Sequence, residues 1–224
     1  LVNHMLKAEM EVAKALAANR ETIAVMDKLS GESEANRQGL LQGLREDLRY
    51  EFKGINDNQQ YQGLYVADGS GQILTGILEN GEEYNRVSVA ANQNFIDAKQ
   101  SGKVGLGEMI RSQATSKLIV PISAPILSSD NRFLGTIGLV LKADYFTELI
   151  PSKRSGETGY AFMINNRGIL IAHPKTEYLL SKNLSDEKEM SEIVGQMVGG
   201  RAGVAEYVFT GIHKIAGFAP VGLN

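Results

Sequence analysis

The chain has 224 residues, 43% hydrophobic and 22% charged, with a formal net charge of −3. That apolar share supports a packed core and excludes disorder throughout, and the acidic balance argues against the basic face that nucleic acid requires. The absence of cysteine excludes a disulfide framework, a thiolate metal site and a cysteine nucleophile.

Leu6, Met10, Ala13, Leu16, Ile23 and Met26 recur at helical spacing and predict a helix over residues 1–29. Ser30-Gly31-Glu32-Ser33 breaks it and supplies cap-type residues. Leu40, Leu41, Leu44, Leu48, Phe52 and Ile55 predict a second helix. About 55 residues of interrupted helix are either two surface helices or a stalk with a dimer seam. Leu64-Tyr65-Val66 and Gln72-Ile73-Leu74 flank Asp68-Gly69-Ser70-Gly71 and predict a hairpin. Tyr84–Val89 reads as a short strand or a pocket loop, and Phe95–Gln100 as a short helix ended by Ser101-Gly102. Strands are expected at Met109–Ser112, Leu118–Ile126 and Phe133–Leu141, with Asp130-Asn131 turning between the last two. Pro121 and Pro125 should confine their strand to an edge or a bulge.

The pattern then restarts. Gly159–Ile164, the turn Asn165-Asn166-Arg167-Gly168 and Ile169-Leu170-Ile171 repeat strand, polar turn ending in glycine, strand, with Asn165 following Asp68 by 97 residues. A helix over Glu189–Val198 and strands at Ala205–Phe209 and Lys214–Ala219 complete a smaller second module. The boundary is expected near Pro151–Gly159, where proline, serine, glycine and charge cluster. The class is α+β: a long N-terminal helix followed by two antiparallel-sheet modules. No run reaches the ~18–20 apolar residues of a membrane helix; the longest candidates are Leu118–Leu127 and Phe133–Leu141. The start at Leu1 suggests a piece of a longer protein.

Catalytic patterns are missing. His4, His173 and His213 form no paired zinc motif, and no phosphate-binding glycine loop, dinucleotide fingerprint or nucleophile elbow occurs. Neither an enzymatic site nor a metal or cofactor is expected. His173, before Pro174, is either a pocket imidazole or a hydrogen-bonded structural residue. Polar residues do interrupt the first module where apolar ones would be buried: Tyr84, Arg86, Asn92, Asn94, Phe95, Arg111, Ser112 and Gln113. Convergent donors and acceptors beside an aromatic wall suit a small polar ligand. Arg86 or Arg111 could take a carboxylate at two points, and Asp144 could take an amine.

The order of these elements resembles the double Cache sensor domains of bacterial chemoreceptors and related transmembrane kinases, over nearly the whole chain. The resemblance rests on the long N-terminal helix, the Leu64–Leu74 hairpin and Asn94-Phe95-Ile96-Asp97-Ala98 at the helix opening. It continues through Thr115-Ser116-Lys117 with Leu118–Ile122, Phe133–Val140 with Asp144, and Gly159-Tyr160-Ala161-Phe162 with Gly168 and Ala172-His173-Pro174. It implies a periplasmic domain held between two membrane helices of an inner-membrane methyl-accepting chemotaxis receptor, built of two PAS-like modules. Residues 1–55 would form the long helices and the homodimer contact, 56–150 the membrane-distal ligand module and 151–224 the proximal module. Asn92, Asn94, Phe95, Ser112 and Asp144 occupy the family's pocket positions. Val87 and Asn92 stand where amino-acid-binding members carry Tyr and Arg, and Asn94-Phe95 stands for their aromatic pair; the implied ligand is a small polar molecule of open identity, and these departures speak against an α-amino acid. A histidine kinase or diguanylate cyclase output, or a structural interaction module, is the alternative.

Overall fold

Asn19 divides the first helical stretch. α1 spans Val2–Ala17 and α2 spans Arg20–Lys28. Between them the extended Asn19 accepts, on its side-chain oxygen, the N–H groups of Glu21 and Thr22 at 2.9 and 3.3 Å. A side chain that satisfies two orphan donors starts a helix anew, so the single helix expected over residues 1–29 is two. The computed structural model describes residues 2–29, 31–84, 87–147, 150, 154–155 and 157–221.

α3 spans Glu34–Ile55. The predicted apolar stripes bury Leu6, Ala13, Leu16 and Met26, and Leu44, Leu48 and Phe52. They pack inside the compact unit His4–Ala143, against that unit's own sheet. Burial of each such Leu or Phe contributes about 1.5–3 kcal/mol. Glu9 shares the α1 stripe and is also buried, accepting a hydrogen bond from the Tyr61 hydroxyl. α3 ends at Asn56, whose side chain accepts the Tyr61 N–H at 2.9 Å and donates to the Tyr61 carbonyl at 3.3 Å.

The sheet of this unit has six strands: β1 Tyr61–Asp68, β2 Ile73–Leu78, β3 Gly105–Leu106, β4 Ile110–Arg111, β5 Leu118–Leu127 and β6 Phe133–Lys142. All pairings are antiparallel, in the order β2-β1-β6-β5-β3, with β4 also on β5. Helix α4, Gln93–Ser101, packs against β3, β5 and β6. Alternation gives the sheet two faces: Tyr65, Gly138 and Ser123 lie side by side in register on one. Leu64, Val66, Ile137 and Leu139 lie on the other, where the Met26 side chain of α2 meets Gly135.

β5 has neighbours on both sides, although Pro121 and Pro125 marked it for an edge or a bulge. The Pro121 carbonyl accepts the Gly107 N–H at 2.8 Å, and a residue's N–H points the same way as its C=O, so its missing donor faces the β3–β4 side. There the partner is broken: β3 pairs with Ile122 and Ser123, β4 with Leu118 and Ile119, and Pro121 falls in the gap. Pro125 lies past the end of β3. Neither ring removes a ladder bond.

The second compact unit comprises Asp144–Asn224, grouped with Leu1–Asn3. It opens with the short α5, Asp144–Thr147. Its strands form three two-stranded antiparallel ladders among the described residues. These are β7 (Arg154–Ser155) with β8 (Gly159–Tyr160), β9 (Met163–Ile164) with β10 (Leu170–Ala172), and β11 (Gly203–Phe209) with β12 (Ile212–Phe218). Leu170, Leu184, Met190, Phe209 and two residues of α6 (Ser191–Val198) make its core.

The repeated turn is the same device in both units. Asp68 Oδ1 accepts the N–H groups of Ser70 and Gln72 at 2.8 and 3.1 Å; Asn165 Oδ1 accepts those of Arg167 and Ile169, each at 3.0 Å. Gly71 and Gly168 stand at φ 87° and 80°, where side chains are strained. Each glycine carbonyl then receives a distant N–H, from Val89 at 2.7 Å and Leu184 at 2.8 Å.

Candidate functional site

Tyr84, Asn94, Phe95 and Ser112 are all buried, on the α4 side of the first unit's sheet. Three connections bring them together. Gly63 leaves room for the Tyr84 ring, since a Cβ there would stand 3.0 Å from it. α4 approaches β3 so closely that a Cβ on Gly105 would lie 2.2 Å from the Asn94 carbonyl oxygen. The turn from Ser112 to Lys117, closed by Lys117 O accepting the Ser112 N–H at 2.8 Å, holds Ser112 inward.

Two chains of hydrogen bonds run through this cluster. In the first, Asn94 Nδ2 donates to Ser123 Oγ at 2.8 Å, and Ser123 also hydrogen-bonds Tyr65. The Tyr65 ring reaches across β6 because Gly138 lies beneath it: a Cβ there would be 1.9 Å from Tyr65 Cζ. In the second, Tyr84 hydrogen-bonds Ser112, whose Oγ accepts the Thr115 N–H at 3.3 Å, and Thr115 Oγ1 donates to Gln62 Oε1 at 2.8 Å. The rings of Tyr65 and Tyr84, 5.1 Å apart and tilted by 39°, join the chains. Phe95 closes the apolar side, edge-on to Phe133 at 6.2 Å. Burial pushes both phenols up, Tyr84 beside it adding to the rise at the fully enclosed Tyr65, so both stay neutral hydrogen-bonding groups.

Two buried polar atoms beside these chains have no partner: Gln62 Nε2 and Thr136 Oγ1. Register puts Thr136 on the Tyr65 face, opposite Ala67 and Pro125. An unmatched buried donor or acceptor costs about 1–3 kcal/mol, so each of these two atoms marks a place where a hydrogen-bond partner would be stabilising.

The other expected site residues fall elsewhere. Asn92 caps α4, half-buried, with its side chain making no cap bond. Arg111 is exposed, donating to the Ser116 carbonyl at 2.7 Å, a bond that fixes the turn behind Ser112. Asp144 is exposed at the start of α5 and grouped with the second unit. Arg86 lies outside the described residues. Tyr65 and Ser123 escaped the sequence reading because each sits in a plain strand pattern. The available signal was a lone serine within the apolar run Leu118–Leu127.

His173 is buried, with Nδ1 accepting the Lys175 N–H at 2.9 Å and Nε2 unpartnered. Burial lowers its pKa. No cluster of three or more metal-ligating side chains occurs among the described residues, and no helix among them is long and apolar enough to cross a membrane.

Comparison with known proteins gives a consistent picture. The methyl-accepting chemotaxis protein McpA of Pseudomonas putida is 26% identical over 163 residues, which is 72% of this chain and 23% of the relative. McpG of the same organism is 31% identical over 92 residues, 41% of this chain and 14% of the relative. The chain thus spans less than a quarter of the length of either. Among solved structures, the extracellular domain of mmHK1S-Z2, described as a histidine kinase, aligns with a TM-score of 0.74 at 21% identity, covering 98% of this chain and 87% of that one. The ligand-binding domain of the Pseudomonas aeruginosa PAO1 amino acid chemoreceptor PctB, in complex with L-Arg, aligns with a TM-score of 0.63 at 20% identity, covering 98% and 82%. At these identities the structures establish the fold. The double Cache family model, described as Cache domain, matches residues 2–223, and the chain belongs to that family.

Proposed function

We propose that this chain is the periplasmic sensing part of a membrane-anchored methyl-accepting chemotaxis receptor, and that it binds a small polar molecule in its first unit. The observation that carries the ligand reading is the pair of hydrogen-bond chains on the α4 side of the sheet, the second of which reaches Gln62, whose buried Nε2 has no partner. A site that only packed would put apolar groups there. Tyr84, Asn94 and Ser112 are the contacts favoured in this reading, with Phe95 as the apolar wall. Asn92, Arg86 and Arg111 remain proposed contacts of lower rank, and residues 151–224 are the proximal module.

PctB binds L-Arg, and PctC, a further chemoreceptor of similar fold, is known in complex with GABA. Here Asp144, the acid proposed to hold an ammonium group, is exposed, which favours a ligand recognised by neutral amides and hydroxyls. No catalytic role and no cofactor are assigned. The signal needs only a ligand that prefers one arrangement of the domain; a preference of about 1–3 kcal/mol shifts the coupled equilibrium 5- to 150-fold. Similarity to mmHK1S-Z2 favours a kinase output as the second reading. Homodimerisation through α1–α3 is part of the proposal.

The test is a thermal-shift screen of organic acids, amides, purines and amines, followed by a chimera carrying these residues on the signalling part of a methyl-accepting receptor. A ligand at 100 times its dissociation constant adds about 2.7 kcal/mol. The proposal expects at least one hit that also alters swimming behaviour through the chimera. No hit, with no co-purified molecule by native mass spectrometry, would contradict it.

A further inference from the structure

Glu83 and Tyr84 are neighbours in sequence, yet they serve opposite faces of the first unit's sheet. Residues 82–84 run along the outer side of β2. The Leu78 N–H donates to the Glu82 carbonyl at 2.9 Å, the Tyr84 N–H donates to the Gly76 carbonyl at 3.0 Å, and Glu83 bridges to Ile77. Successive side chains of an extended stretch point to opposite faces. Tyr84 goes to the α4 side, where its ring lies 5.1 Å from that of Tyr65 and its hydroxyl hydrogen-bonds Ser112. Glu83 goes to the other side, where α3 packs against β2.

There Glu83 meets Arg45, which follows Leu44 in α3 and so flanks the buried stripe of Leu44 and Leu48. Arg45 Nη1 donates to Glu83 Oε2 at 3.0 Å, with the two side chains 30% and 35% exposed. The other Glu83 oxygen accepts the hydroxyl of Thr75 at 3.4 Å. Thr75 is buried and stands in register with Val66, on the α3 face. One carboxylate thus joins α3, β2 and the segment that carries Tyr84.

The grip is incomplete. A guanidinium commonly takes a carboxylate at two points. Arg45 takes Glu83 at one, and its Nε–H is buried with no acceptor. A buried donor without a partner is unfavourable. An acceptor is at hand, because the Glu83 oxygen on Thr75 is held only by a long bond. A small displacement of Glu83 would exchange the Thr75 hydroxyl for the Arg45 Nε–H. Glu83 therefore has two holds available, and Tyr84, one residue along the chain, shifts between them.

We propose that Arg45 is a positioning residue of the first unit's site. Holding Glu83 from α3, it fixes where Tyr84 stands on the opposite face and ties that place to α3. The bearing on ligand binding rests on the reading of Tyr84 as a ligand contact; the positioning itself does not.

The test uses the full chain with its eight tyrosines replaced by fluorotyrosine, followed by fluorine NMR. The Tyr84 signal is assigned by its loss in Tyr84→Phe. Arg45→Met and Arg45→Glu should each move the Tyr84 signal by more than its linewidth. The exchanged pair Arg45→Glu with Glu83→Arg should bring it back, a rescue that lost packing of the arginine stem would not give. Arg49→Met is the control, because Arg49 pairs with Glu46 of the same helix at 3.5 Å and both are exposed; it should leave the signal in place. The Tyr160, Tyr178 and Tyr207 signals of the second unit should stay fixed throughout. A Tyr84 signal unmoved in Arg45→Met, no rescue by the exchanged pair, an equal shift in Arg49→Met, or movement of the second unit's signals along with Tyr84 would each overturn the proposal. None of these outcomes uses a ligand, so an empty ligand screen and a failed clamp are told apart.

Discussion

Replacing Gly138 by alanine tests the arrangement on which the first unit's polar cluster depends. The added Cβ would stand 1.9 Å from Tyr65 Cζ and 2.2–2.3 Å from both Cε atoms. To restore 3.0 Å, the ring must retreat by about 1 Å. It has little room: Tyr84 lies 5.1 Å away, and Tyr65 is 1% exposed. Overpacking of this kind costs about 1–3 kcal/mol. Lifting the hydroxyl off Ser123 adds the cost of a buried unmatched group, about 1–3 kcal/mol. Together the two come to about 2–6 kcal/mol, and a value in the lower part, about 3 kcal/mol, lowers the Tm by roughly 6–12 °C for a chain of this size. Differential scanning calorimetry reads it directly, with Gly217→Ala as control. Gly217 in β12 has nothing within 4 Å of its would-be Cβ, so that change should stay within about 0.5 kcal/mol. A Gly138→Ala protein as stable as the control would refute the packing of Tyr65 across β6, and with it the hydrogen-bond chain through Ser123 to Asn94.

Three further outcomes are expected. Asp68→Ala and Asn165→Ala each remove the acceptor of two turn N–H groups and should each cost about 1 kcal/mol in denaturant titration; a loss in one turn alone would show the two are not equivalent. Burial raises the Glu9 carboxyl, with the Tyr61 hydrogen bond opposing it. Its contribution is present below the unfolded pKa of 4.5 and is lost as pH rises through the folded value, so Glu9→Gln should gain stability over wild type at pH 7 and little at pH 4; equal effects at both would contradict the burial. His173 runs the other way: its lowered pKa gives stability above 6.5 that is lost as pH falls through the folded value. His173→Phe should therefore flatten the acid limb of the second unit's melting curve, and an unchanged limb would show the imidazole is solvated.

Much of the fold was legible because local chemistry and tertiary packing agree. Asp68-Gly69-Ser70-Gly71 carries its turn in its own residues, and so does Asn165–Gly168, which is why their kinship showed as a spacing of 97. The stripe Leu44, Leu48 and Phe52 marked the buried face of α3. What failed needed a partner to be seen. Asn19 reads as an ordinary helical residue until its cap bonds form. Pro121 and Pro125 signal an edge, yet β5 is interior, because the break between β3 and β4 is a tertiary fact. The polar cluster was half visible: Tyr84, Asn94, Phe95 and Ser112 stood out as polar or aromatic residues in apolar surroundings. Arg111 looked equally promising, but its guanidinium is used by the Ser116 carbonyl. Tyr65 was hidden by strand alternation, and only its pairing with Gly138 and Ser123 gives it a role.

The claim that the first unit is a small-molecule site is tested most directly by isothermal titration of the screened ligand into Tyr84→Phe and Ser112→Ala. Each deletes one hydroxyl of the same hydrogen-bonded pair with minimal change in shape. Both should lose roughly two- to tenfold in affinity, the worth of one neutral hydrogen bond. Wild-type affinity in both variants would place the ligand elsewhere.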